Sequence, residues 1–224
     1  MSKSVPFGNH LSTKDEMLTM KVKGERNYKI ILRLCNGFFK RFNKYQLVFP
    51  ERLPTENGLI FIFNHKDYLD IPLVFSVLNT RPVHALVKIE VKKELVGKML
   101  SLMGTVFVDR SCAKSRTTAK DKLKNIVQSG SNILIAPEGT RNKTDSLLLP
   151  FVGRSAVRIA QETNRPIIAF AISRSGVKGR QKLIRVCKPF FVGMGEDLDV
   201  ANNRLYRHLY DALLENESEL GNGI

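Results

Sequence analysis

At 224 residues and 43% hydrophobic, the chain holds enough apolar material for one sizeable core and too little for two comfortable ones. Lys and Arg number 36 against 21 Asp and Glu, a formal charge of +15, which speaks to anionic partners (nucleic acid, lipid headgroups, phosphorylated small molecules) and not to fold. Three widely spaced cysteines, Cys35, Cys112 and Cys187, argue against a disulfide framework and a CxxC zinc site and read as reduced thiols.

Residues 1–27 form an N-terminal segment whose opening, MSKSVPFGNHLSTKDEM, contains no apolar run of the signal-peptide kind. From Tyr28 the pattern changes. Ile31, Leu32, Cys35, Phe38, Phe39 and Phe42 fall at helical spacing with it, and Lys29, Arg33, Lys40 and Arg41 stand between them. This predicts a basic amphipathic helix within 28–44, which either packs on the core or lies in a membrane interface. Gly37 in its middle weakens both readings.

Short, β-branched apolar runs then recur at 45–49, 59–63, 83–87, 105–108, 132–136, 166–171 and 183–187, and each predicts a strand. Helical spacing at 68–79, 91–101, 114–128, 153–163 and 198–216 predicts the helices. The alternation argues for a single α/β domain over 45–216, with a largely parallel, mixed sheet of about seven strands covered by helices. Residues 217–224 read as a loose tail. The longest apolar stretches, Leu59–Phe63 and Ile71–Leu78, fall far below the ~18 residues needed to span a bilayer, so a cytoplasmic protein that meets membranes only peripherally is expected.

The run LIFIFNHKDYLDIPLVF passes from a buried strand through a polar turn into a helix. It sets Asn64, His65, Asp67 and Asp70 at the strand's carboxyl end, the edge where open α/β sheets bind ligands. A histidine there serves as general base when a carboxylate fixes its tautomer and supports the imidazolium, and Asp70 is the candidate partner. Residues five apart in an unbroken helix point about 140° from each other, so the pair requires a turn over 66–69. His-x4-Asp is weak alone, because Asp67 or Asp70 also suits a helix N-cap with Pro72 close behind. Further on, Gly104-Thr-Val-Phe107-Val-Asp-Arg110 delivers an arginine just past a strand, and Asn132–Ala136 leads into Pro137-Glu138-Gly139-Thr140-Arg141. In that second turn the glycine permits close approach to a ligand and Arg141 suits a phosphate; a plain Pro–Gly turn would explain the glycine but not Glu138 and Arg141 together.

Taken together, these blocks resemble the 1-acylglycerol-3-phosphate acyltransferase family of the glycerolipid acyltransferases. Its Asn-His-x4-Asp block is met by Asn64, His65 and Asp70, its Gly-x-x-Phe-x-x-Arg block by Gly104, Phe107 and Arg110, and its Pro-Glu-Gly-Thr-Arg block by Pro137 to Arg141. A looser block, an apolar strand containing a proline, is met by Arg165-Pro166-Ile-Ile-Ala-Phe. The resemblance implies that His65 deprotonates an acceptor hydroxyl as it attacks a fatty acyl thioester, with Asp70 orienting the base. It implies that Arg110, Glu138, Gly139, Thr140 and Arg141 bind the glycerol phosphate. The implied acceptor is lysophosphatidic acid, acylated at sn-2 to phosphatidic acid, with glycerol 3-phosphate or a lyso-aminolipid as alternatives. The implied co-substrate is acyl-CoA or acyl-acyl carrier protein, with no cofactor and no metal, at the cytoplasmic face of an anionic membrane. The chain has no Gly-x-Ser-x-Gly elbow, which fits direct transfer better than an acyl-enzyme. It departs from the pattern at 88–97, KIEVKKELVG, which lacks a proline, and at Phe151-Val-Gly153-Arg154, where relatives carry a lysine-glycine pair. A nucleic-acid module is the rival reading, prompted by six Lys or Arg and no acid within 174–188; the absence of Trp and the placement of most Phe in apolar runs weigh against it.

Overall fold

The computed structural model describes residues 29–31, 33, 34, 37, 45–78, 82–174 and 182–221. All seven predicted strands form: β1 (Tyr45–Val48), β2 (Ile60–Phe63), β3 (Val83–Lys88), β4 (Val106–Val108), β5 (Asn132–Ile135), β6 (Ile167–Arg174) and β7 (Lys182–Val186). They make one sheet in the order β1-β7-β6-β2-β5-β3-β4. Strands β2 to β6 run parallel, β7 is antiparallel to β6, and β1 pairs parallel with β7. One edge therefore collects the carboxyl ends of β2 to β6 together with the first residues of β1 and β7.

Helices α1 (Asp70–Leu78), α2 (Leu95–Leu102), α3 (Ala113–Gln128), α4 (Ser155–Thr163) and α5 (Leu198–Gly221) cover the sheet on both faces. Ile60 and Ile62 of β2 pack into a cluster with α3, α4 and α5, whereas Phe61 and Phe63 pack into a second cluster with α1 and α2. A strand buried on both faces needs no polar alternation, which is why this segment reads IFIF. In α3, Ala119, Leu123 and Val127 are buried at four-residue spacing and the lysines between them face outward.

Three expectations are refined. The helix foreseen at 91–101 is divided into a 3-10 turn, Ile89–Lys93, and α2. The Glu94 N–H donates to the Val91 carbonyl and the Glu94 carbonyl starts α2 by accepting from Lys98, while Gly97 lies against the turn so closely that a Cβ would stand 1.8 Å from the Val91 oxygen. The loose tail foreseen from 217 is corrected, because α5 continues through Gly221. Buried Arg185 of β7 donates through Nε to Asn216 Oδ1 at 2.8 Å and pairs with Glu215 and Glu219, holding the last turns down. The amphipathic helix of 28–44 lies largely outside the described residues, as does all of 1–27. Within it Ile31 is buried in the α1–α2 cluster, while Ile30 and Leu34 are exposed.

Candidate active site

Where β2 ends, the side chain of Asn64 takes over from the backbone. Its Nδ2 donates to the Ile172 carbonyl at 2.9 Å and its Oδ1 accepts from the Ile172 N–H at 2.8 Å, so the pairing with β6 continues while the main chain turns out at His65. Asp70, at the start of α1, then closes the turn backwards. Its Oδ2 accepts the N–H groups of Lys66 at 2.8 Å and Asp67 at 2.6 Å, and lies 3.3 Å from His65 Nδ1. Its Oδ1 accepts from Lys182 Nζ at 2.7 Å. The carboxylate thus gathers three donors that precede it in the chain and one, Lys182, from a distant strand, and does not serve as an N-cap for the turn that follows.

Burial works to raise the Asp70 pKa, but the hydrogen bond with His65 and the charge and hydrogen bond of Lys182 outweigh it, and the carboxyl lies below its ordinary value. An ionised Asp70 accepts from Nδ1–H, which fixes the tautomer and leaves Nε2 as the basic nitrogen. The ring is further set edge-on against Phe63, with centroids 5.4 Å apart.

The second turn is fastened to the first through the peptide of His65 itself. Glu138 Oε1 accepts the His65 N–H at 2.7 Å, and the His65 carbonyl accepts the Asn142 N–H at 2.6 Å. The other Glu138 oxygen accepts the Leu149 N–H at 2.8 Å. Glu138, expected among the substrate-binding residues, is therefore a buried brace with both oxygens engaged by backbone amides, and burial raises its pKa. Arg110 donates to the Gly139 carbonyl, and Gly139 has φ +70 and a backbone against which a Cβ would stand 2.6 Å from Arg110 Nη1. Arg141 donates to Tyr68 Oη at 2.7 Å with its guanidinium 3.4 Å over the Tyr68 ring. Thr140 is exposed between them. His65, Asp70, Arg110, Gly139 and Arg141 are thus joined through direct contacts of their turns.

Sequence reasoning missed Lys182, whose buried side chain also lies 3.5 Å from Asp67 Oδ2, and Arg174, which pairs with Asp67. Neither carries a local signal, since both belong to a stretch that reads only as basic. It also missed Asn142, whose side chain donates to the Ser146 carbonyl and accepts from Thr144, ordering the loop that grips His65. Cys187 is buried and its thiol is pushed up to about 12 by that burial, which removes it as a nucleophile.

Fold and site together define an α/β domain that presents a carboxylate-supported histidine at the carboxyl edge of its parallel strands, a class equipped for general-base chemistry. A family model described as Acyltransferase matches residues 44–173, and the chain belongs to the acyltransferase family. A probable 1-acyl-sn-glycerol-3-phosphate acyltransferase of Mycoplasma pneumoniae is 27% identical over 157 residues, covering 66% of this chain and 56% of its own length. The human 1-acyl-sn-glycerol-3-phosphate acyltransferase beta is 30% identical over 149 residues, covering 61% of this chain and 51% of its own. The chain spans about half the length of these curated relatives. The crystal structure of the 1-acyl-sn-glycerophosphate (LPA) acyltransferase PlsC from Thermotoga maritima matches with a TM-score of 0.65 and 23% identity, over 85% of this chain and 81% of that one, and has the same fold. Among the described residues, no helix is long and apolar enough to cross a membrane.

Proposed function

We propose that this chain moves a fatty acyl group from a thioester, carried on coenzyme A or acyl carrier protein, to the sn-2 hydroxyl of lysophosphatidic acid, giving phosphatidic acid for phospholipid synthesis. The observation that carries the reading is His65 held through Nδ1 by an ionised Asp70, at an edge flanked by Arg110 and Arg141. Nε2 accepts the acceptor's hydroxyl proton as that oxygen bonds to the thioester carbonyl. The C–S bond then breaks, and the departing thiolate takes the proton from the imidazolium. No bond to the protein forms at any stage. Arg110 and Arg141 supply positive charge for the acceptor's phosphate, with the Gly139 backbone and the Thr140 hydroxyl beside them.

The same reading puts this edge against an anionic bilayer at its cytoplasmic face. Tyr68 and Val152, which are 67% and 68% exposed, border the turns that hold Arg141 and Gly139. Apolar side chains next to cations are the combination a lipid interface favours.

The test is a transfer assay that offers lysophosphatidic acid and glycerol 3-phosphate against acyl-CoA and acyl-acyl carrier protein, with products read by mass spectrometry. Phosphatidic acid is expected from lysophosphatidic acid, and His65→Ala abolishes it while leaving the circular dichroism spectrum unchanged. Transfer retained by His65→Ala, or absent with every pair, overturns the reading.

A further inference from the structure

We propose that Lys182 is a positioning residue of the acyl-transfer site: from the first position of β7 it fixes Oδ1 of Asp70, so that Oδ2 is presented to His65. The inference rests on the general-base reading of His65. Lys182 Nζ lies 2.7 Å from Asp70 Oδ1 and 3.5 Å from Asp67 Oδ2, and the two side chains of the shorter contact are 9% and 2% exposed.

The placement is hard to explain by packing. In the β6–β7 register Lys182 lies directly opposite Arg174, and like charges in a cross-strand pair are destabilising. Here both cations find carboxylates in the His65–Asp70 turn, since Arg174 pairs with Asp67 while Lys182 reaches Asp67 and Asp70. A buried ion pair adds little net stability over an apolar pair of similar volume, so its presence points to a role in specifying geometry. The geometry concerned is that of a carboxylate with two oxygens and four donors. Oδ2 serves the turn amides and His65, and among the described residues Oδ1 serves Lys182 alone. Without the ammonium, Oδ1 is a buried acceptor with no partner, and the carboxyl gains by rotating or by taking up a proton. Either change weakens the support for the imidazolium.

Among the described residues, the charged groups around the dyad are Lys182, Asp67, Arg174 and Lys66 on the Asp70 side, Asp145 and Glu217 across the cavity that Asp70 lines, and Glu138 behind the His65 peptide. Of these, Lys182 places its charged atom directly on the Asp70 carboxylate. Removing it lets Oδ2 leave Nδ1 or lets the carboxyl take up a proton, and either withdraws the negative charge that favours the protonated ring. The acid limb of the kcat/KM profile therefore moves to lower pH.

The experiment measures kcat/KM for acyl transfer across pH for Lys182→Met, Lys182→Gln and Lys182→Arg, each in the native and the Asp70→Asn backgrounds. In the native background Lys182→Met is expected to lose about tenfold or more and to shift the acid limb to lower pH, whereas Lys182→Arg keeps the limb in place. In the Asp70→Asn background Lys182→Met costs nothing further, because its effect runs through Asp70. Lys182→Gln retains a donor at the same depth and carries the measurement if the Met variant fails to fold; it too shifts the limb. An unmoved limb in the folded variants, or an equal loss in both backgrounds, overturns the proposal. His65→Ala is run beside them. If it retains transfer, the general-base reading itself falls; if it alone loses transfer, only the assignment of Lys182 falls.

Discussion

A histidine five residues from an aspartate is common, and what makes this pair a dyad is the density of donors on the aspartate. His65, Lys66, Asp67 and Lys182 all converge on Asp70. Its pKa lies below the ordinary 3.8, so on acidification the unfolded chain takes up this proton before the folded one does. The stability Asp70 contributes is present above that ordinary value and is lost as pH falls through the depressed one. Urea titrations of native protein should accordingly show unfolding free energy dropping below about pH 4, and Asp70→Asn should flatten that part of the curve. Glu138, with its pKa raised by burial, acts with the opposite sign, favouring the fold slightly more as pH falls toward its ordinary value of 4.5. The His65–Asp70 pairing is legible because the strand end and the short spacing are local. Lys182 is not, since 112 residues separate it from its partner and lysines are abundant in its stretch. The two amides on Glu138 are hidden for a related reason. A glutamate in a Pro–Gly turn reads as exposed, and only the loop returning at Leu149 reveals that its carboxylate is roofed over.

At the scale of elements, every strand and most helices follow from hydrophobic periodicity, because each buried face requires it. The exceptions depend on contacts that periodicity does not report. Nothing between 217 and 221 predicts helix beyond mostly polar, weakly periodic residues; the order comes from Arg185, buried one residue before the end of β7 and paired with the last turns of α5. Arg185→Met should therefore fray that end. Amide exchange at 217–221 is expected to accelerate, and the variant to lose roughly 1.5–3 kcal/mol, the worth of hydrogen bonds to a charged group. Unchanged exchange would detach the helix end from β7. The break at Glu94 is local by contrast: Gly97 lies against the Val91 carbonyl, a close approach that hydrophobic spacing does not report.

The whole molecule shows what one-dimensional patterns omit. Seven apolar runs say nothing about strand order, and the antiparallel β7 could not be told from its parallel neighbours, yet that reversal is what brings Lys182 to the working edge. At this scale too belongs the proposed lipid contact at the exposed Tyr68 and Val152, beside Arg141 and Gly139. Replacing Tyr68 and Val152 together by Ser should lower co-sedimentation with vesicles rich in anionic lipid, with circular dichroism unchanged. Equal sedimentation of variant and native protein would overturn that contact.

One consequence follows from the grip on the His65 peptide. Its N–H is held by Glu138 and its carbonyl by Asn142, the two ends of the turn that contains Gly139, Thr140 and Arg141. The base has no hinge of its own. In the proposed reaction an acceptor that shifts that turn shifts the imidazole with it, so its fit is written into the position of the base before any proton moves.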